Sequence, residues 1–98
     1  ELLEQNFIKE KSAFQYAERL NLTTKHLNRI TQTVVQKTVS EIITERTILE
    51  AKRMLIYLDE SLVDIAFRLG YEEYSYFVRV FRKKTGQTPS SFIEENKH

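Results

Sequence analysis

The chain has no cysteine and no tryptophan, one proline and two glycines among 98 residues. Without thiols, disulfides and thiolate metal sites are excluded, which suits a reducing compartment, and a cytoplasmic location is expected. So little proline and glycine leaves few points at which a helix must stop. The class expected is all-α, as one compact domain or two very small ones sharing a core. No apolar run approaches the roughly 18 residues that span a bilayer, and no charged-then-apolar leader opens the chain, so no membrane partner is expected. There is no glycine-rich phosphate loop, cofactor box or activated nucleophile. Neither a cofactor nor a catalytic residue is therefore expected, and the chain reads as not an enzyme. His26 and His98 are too few and too isolated for a metal site. Glu72 and Glu73 are adjacent carboxylates, but at a helix start they suit dipole complementation better than acid/base chemistry. A strong charge of either sign is missing too: the formal net charge is +1, which alone argues neither for nor against nucleic acid. The first residue is Glu1 rather than methionine, which suggests a piece of a longer protein with a companion domain elsewhere.

What is present is an internal repeat. One segment reads Tyr16-Ala17-Glu18-Arg19-Leu20-Asn21-Leu22, then Lys25-His26-Leu27-Asn28-Arg29; a second reads Ile65-Ala66-Phe67-Arg68-Leu69-Gly70-Tyr71, then Ser75-Tyr76-Phe77-Val78-Arg79. Ala17 and Leu20 map onto Ala66 and Leu69 at an offset of 49. After one inserted turn residue, Leu27 and Arg29 map onto Phe77 and Arg79 at an offset of 50. Two short helices around a tight turn, written twice, describe tandem helix-turn-helix units.

Caps and periodicity predict seven helices. Leu2, Leu3, Phe7 and Ile8 mark a short first helix, and Ser12 with Gln15 forms a capping box for a second that turns Ala13, Ala17 and Leu20 inward. After a tight turn at Asn21-Leu22, Thr23 caps a third helix with an apolar face of Leu27, Ile30 and Val34 and a polar face of Lys25, Asn28, Arg29 and Gln32. Thr38 with Glu41 opens a long fourth helix from Val39 to about Leu58, with Ile42, Ile48, Ala51, Leu55 and Leu58 as packing positions. Ser61 with Asp64 caps a fifth, with Leu62, Ile65, Ala66 and Leu69 inward, and Gly70 stops it. A sixth from about Glu73 to Lys84 buries Phe77, Val80 and Phe81, presents Tyr74, Ser75, Val78, Arg79 and Arg82, and ends at Gly86. Thr88-Pro89 starts a short seventh, with Phe92 packing back on the second unit. The expected organisation is residues 1–38 as the first unit, 39–58 as linker helix and 59–98 as the second unit, together one domain.

The stretch Ser61 to Ile93 closely resembles the DNA-binding domain of AraC/XylS-type bacterial transcription regulators. The likeness is densest in Ile65-Ala66-Phe67-Arg68-Leu69-Gly70-Tyr71 and from Ser75-Tyr76-Phe77-Val78-Arg79 through Thr85-Gly86-Gln87-Thr88-Pro89-Ser90. Glu50-Ala51-Lys52-Arg53-Met54-Leu55 resembles the end of that family's linker helix, and Leu22 to Ile30 its first recognition segment, so the resemblance covers Ser12 to Ile93. It implies two helix-turn-helix units joined by a long helix, with an effector-binding or receiver domain elsewhere on the full-length chain. Three positions depart from the pattern: Gln36 where a glycine is usual, Thr31 where an aromatic is common, and Thr47 where an arginine is common. Without a glycine at Gln36, the third helix is expected to run on or to end differently.

The physical case for DNA stands beside the resemblance. Arg79, Arg82, Lys83 and Lys84 fall on two helical turns with no acid among them. A helix-turn-helix lays one helix across the backbone and sets the next in a major groove, where arginine reads guanine and asparagine reads adenine. By that geometry, and by position-wise likeness to the family, the expected base readers are Lys25, Asn28 and Arg29 in the first unit and Tyr74, Ser75 and Arg79 in the second. Thr23, His26, Gln32, Arg82 and Lys83 are expected at phosphates, which orient without reading sequence. A linker of about 20 residues at roughly 1.5 Å each is about 30 Å long, near the roughly 34 Å between successive major grooves on one face. Double-stranded DNA is the partner expected, with RNA polymerase a second if the full-length protein activates transcription; no oligomerisation surface is evident. The bland alternatives are solvated arginines on an exposed face, core or edge packing for Tyr71 and Tyr76, a helical protein-interaction module, and an architectural binder without sequence preference.

Overall fold

The computed structural model describes residues 2–96, so His98 lies outside the described residues. Among them there are seven helices and no strand: α1 (Leu2–Asn6), α2 (Ala13–Arg19), α3 (Thr24–Val35), α4 (Val39–Tyr57), α5 (Leu62–Arg68), α6 (Tyr74–Thr85) and α7 (Pro89–Asn96). The chain forms two compact units, Glu1–Arg46 and Thr47–His98, whose boundary falls inside α4.

In the first unit the helix starts follow the expected capping chemistry. Ser12 Oγ accepts from Gln15 N–H while the Gln15 side chain takes Ser12 N–H, which closes the capping box of α2. Thr23 Oγ1 accepts from His26 N–H at 3.1 Å to start α3, and Thr38 and Glu41 exchange the equivalent pair at the start of α4. The turn between α2 and α3 closes through Leu22 N–H to Ala17 C=O at 2.8 Å, with Asn21 left-handed at φ 58. The core is Tyr16, Ala17, Leu27, Val39 and Ile43, with Leu2, Leu3, Ala13 and Leu22 packed against it.

The second unit repeats this geometry at the mapped positions. Ser61 caps α5, Tyr71 N–H closes the turn to Ala66 C=O at 3.1 Å, and Gly70 holds the left-handed position at φ 92 that Asn21 holds in the first unit. The mapping also runs further: α3 ends on left-handed Gln36 (φ 58) and α6 on left-handed Gly86 (φ 82), each cap N–H reaching back to the carbonyl four residues earlier. Thr88 Oγ1 then caps α7 through Ser91 N–H, as Thr38 caps α4. The core is larger, with ten buried members that include Leu55, Ile65, Leu69, Phe77 and Phe81, and an aromatic chain runs Tyr71–Phe77–Phe81–Phe92 at centroid spacings of 5.3, 5.8 and 5.6 Å.

Two expectations are corrected in the first unit. Helix α3 neither runs on nor ends in a new way, because Gln36 takes the left-handed geometry that glycine takes in the second unit. The expected inward face is also incomplete, since Leu20 is 48% exposed, Ile30 41% and Val34 69%. The cause is the smaller core. Phe81, fully buried at the heart of the second unit, maps at an offset of 50 onto half-buried Thr31, which gives the later turns of α3 little apolar surface to pack on.

Candidate nucleic-acid interface

The second helix of each unit, α3 and α6, buries one side and turns a polar side outward. On α3 Leu27 is buried, while Lys25, His26, Arg29 and Gln32 are exposed. On α6 Phe77 and Phe81 are buried, while Ser75, Arg79, Arg82 and Lys83 are exposed. The packing that buries Leu27 or Phe77 thus holds Arg29 or Arg79, two residues on, at the surface. Thr23 stands just before α3, and because its hydroxyl accepts from His26 N–H, its own proton remains to donate outward.

Arginine pairing divides the chain. Arg19 pairs with Glu10 at 2.6 Å, Arg46 with Glu4 at 2.5 Å, Arg68 with Glu60 at 2.7 Å, and Arg53 with Glu50. The Arg46 guanidinium also stacks over the Phe7 ring at 4.3 Å. Hydrogen bonding from Arg46 and Arg19 holds the Glu4 and Glu10 carboxyls below their ordinary value, and Glu60 raises Arg68. Exposed pairs of this kind add little to stability, so their main effect is local charge neutralisation. The remaining three arginines are Arg29 on α3 and Arg79 and Arg82 on α6, and among the described residues none has a carboxylate partner. Lys83 and Lys84 are likewise exposed beside Arg82 in the last turn of α6, where cations also complement the helix dipole.

Two residues sit differently from a plain solvent-facing reader. Asn28 is half-buried, and its Oδ1 accepts from Val39 N–H at 2.9 Å, so its side chain ties α3 to the first amide of α4. Tyr74 is half-buried, with its ring 6.4 Å from Phe77 and packed on the second core. Tyr71 is buried as core, and burial pushes its phenol up to about 12. Tyr76 packs at the edge of this core: it is 50% exposed, 5.9 Å from the Tyr71 ring on one side, with the Arg79 guanidinium 5.7 Å from its own ring centroid. Sequence reasoning missed this support for Arg79, although the three-residue spacing of Tyr76 and Arg79 on one helix is a signal for it. No cluster of three potential metal ligands occurs among the described residues, and no helix there is long and apolar enough to cross a membrane.

Comparison with known proteins places this geometry. A family model described as a helix-turn-helix domain matches residues 16–95. The chain is 30% identical over 97 residues to the bifunctional transcriptional activator/DNA repair enzyme AdaA of Bacillus subtilis, covering 99% of this chain and 46% of that protein. It spans about half the length of that curated relative. Among solved structures, the C-terminal domain of AraT, a response regulator from Geobacillus stearothermophilus, superposes with a TM-score of 0.93 at 21% identity, over 99% of this chain and 81% of that one. The DNA-binding domain of AdpA, a global transcriptional factor solved with a target DNA, gives 0.83 at 19% identity, over 95% and 83% of the two chains. At such identities the structural likeness shows the fold.

Proposed function

Because the chain belongs to the AraC-type family of helix-turn-helix domains, we propose that it binds double-stranded DNA sequence-specifically as the DNA-binding part of a bacterial transcription regulator, with α3 and α6 in successive major grooves. The observation that carries this reading is the arginine division: four arginines are neutralised by carboxylates, and the three without one among the described residues lie on the two recognition helices. An unpaired guanidinium keeps its planar fork of donors for guanine or phosphate, where a paired one would first have to lose its carboxylate.

In this reading Arg29 and Arg79 read bases, with Lys25 and Ser75 one turn earlier on the same helices and Tyr74 fixed at the groove edge by its packing. Thr23, His26, Gln32, Arg82 and Lys83 take phosphates. Asn28 is withdrawn from the base-reading set, since its carbonyl oxygen is already used by Val39 N–H. Because Gln36 ends α3 as Gly86 ends α6, Arg29 is assigned the same weight as Arg79. A cytoplasmic location, a non-enzymatic role, an effector or receiver domain on the rest of the full-length protein, and contact with RNA polymerase if it activates transcription belong to the same proposal.

The test is a binding series on a duplex selected from a randomised pool, run beside a random duplex at two salt concentrations. Affinity falls steeply with salt. Arg79→Ala and Arg29→Ala each cost about 1–3 kcal/mol on the selected site and relax preference at one or two positions. Lys83→Ala weakens both duplexes alike and lowers the salt slope by about one. A flat salt response would reject DNA in favour of a protein-interaction module, and equal losses on both duplexes for Arg79→Ala would make Arg79 a backbone contact.

A further inference from the structure

The two recognition helices differ beside their arginines. In the second unit Phe77 is fully buried, and its ring stands 5.3 Å from that of Tyr71, which is also core. Tyr71 in turn stands 5.9 Å from the half-exposed ring of Tyr76, and the Arg79 guanidinium lies over the Tyr76 ring at 5.7 Å. A guanidinium at that range is attracted by the negative face of the ring. The stack thus runs from the core out to an exposed guanidinium. Its register has local causes. Tyr71 N–H closes the turn to Ala66 C=O, which fixes that backbone on the core. Tyr76 and Arg79 are three residues apart on α6, a spacing at which side chains share a face. At the mapped offsets of 49 and 50 the first unit has Leu22 and His26, so neither tyrosine recurs there.

We propose that Tyr76 is a positioning residue for base reading: its ring, braced by Tyr71, holds the Arg79 guanidinium so that its hydrogen-bonding edge is presented to one base pair. An arginine side chain is long and rich in rotamers, and ordering it on binding opposes affinity. A carboxylate would order it by occupying the donors that guanine needs. A ring face instead takes the flat side of the guanidinium and leaves the in-plane N–H groups free. The contact is made before DNA is met, so its benefit falls on the base pair that Arg79 reads and not on phosphates held elsewhere on the helix. This role rests on the assignment of Arg79 to base reading, whereas the stack itself is measurable in the protein alone.

The test has one arm without DNA and one with it. In the free protein, the ring current of Tyr76 moves the Arg79 δ-methylene protons upfield; Tyr76→Phe keeps that shift and Tyr76→Leu removes it. If Tyr76→Leu does not fold, Tyr76→Met serves in its place. The second arm is a competition between the selected duplex and duplexes changed at single base pairs. Tyr76→Leu lowers discrimination about two- to fivefold, the factor expected of an exposed cation–π contact, at the base pair that Arg79→Ala relaxes. It leaves the base pairs relaxed by Arg29→Ala, the random-duplex affinity and the salt slope unchanged, and Tyr76→Phe retains full discrimination. In an Arg79→Ala background Tyr76→Leu has no further effect, as expected of a residue that acts through Arg79. Arg79 protons that do not move in Tyr76→Leu overturn the stack, and undiminished discrimination overturns its role in reading. An effect of Tyr76→Leu that persists in the Arg79→Ala background makes Tyr76 a DNA contact in its own right and also overturns the positioning role. A flat salt response with the proton shift present shows that the DNA reading has failed and not the stack, and the positioning role falls with that reading.

Discussion

Replacing Gln36 by glycine is expected to stabilise the first unit, and replacing Gly86 by alanine to destabilise the second by about as much. Both residues close a recognition helix in the left-handed region, Gln36 at φ 58 and Gly86 at φ 82. A side chain there costs roughly 1–2 kcal/mol, because Cβ crowds the backbone. Glycine avoids that cost but enlarges the unfolded ensemble by about 0.4–1 kcal/mol, which leaves a net gain of about 0.5–1 kcal/mol for Gln36→Gly. Little else is lost with the Gln36 side chain: it is exposed, and its one hydrogen bond, to Thr33 C=O, is long at 3.4 Å. At Gly86 an added Cβ meets nothing within 4 Å beyond its own chain neighbours, so the penalty of alanine is the local left-handed cost alone, with no clash against the rest of the unit. The protein has no tryptophan, so the assay is urea unfolding followed by helical circular dichroism, fitted with separate transitions if the units melt apart. A lower midpoint for Gln36→Gly, or an unchanged one for Gly86→Ala, would refute the conformational account of how these helices end.

Asn28→Ala is expected to lower stability by about 1–2 kcal/mol, because it strands Val39 N–H at the start of α4. Asn28→Asp retains the acceptor and most of the stability; a changed base preference in the alanine variant without loss of stability would return Asn28 to the reading face. Lys11 donates to Phe7 C=O at 2.6 Å, and burial pushes its amine down to about 8. Between about 8 and its ordinary 10.5 the unfolded chain holds more protons than the folded one, so stability relative to Lys11→Met rises across that interval. Urea midpoints of the two proteins through that range check the sign, and a constant difference would contradict it.

The parts of this fold that were legible in the sequence depend on residues within a few positions of one another. Ser12 and Gln15, Thr38 and Glu41, and Ser61 with the Asp64 amide act over three residues, so cap and helix start could be read together. The repeat extended that reading, because equivalent turns need equivalent left-handed residues. What could not be read is set by packing between distant segments. Whether Arg46 is free depends on Glu4, and whether Asn28 is free depends on where α4 begins. The same limit hid the exposure of Ile30 and Val34: their spacing suits a buried face, but Thr31 supplies no ring for that face to meet. The candidate interface was thus legible as a set of positions, while the neutralisation of the other four arginines, which singles out Arg29, Arg79 and Arg82, was not.

The unit boundary inside α4 has a consequence for motion. One unbroken helix begins against a core of five buried residues and ends against a core of ten. Opening free energy follows the apolar surface that must be exposed, so the backbone amides of one helix should exchange with solvent deuterium at two levels. Amides of α4 before Arg46 should exchange along with those of α3, and amides after Thr47 more slowly, along with those of α6. A single secondary-structure element would then belong to two cooperative units, and the less protected one is the unit with the smaller core.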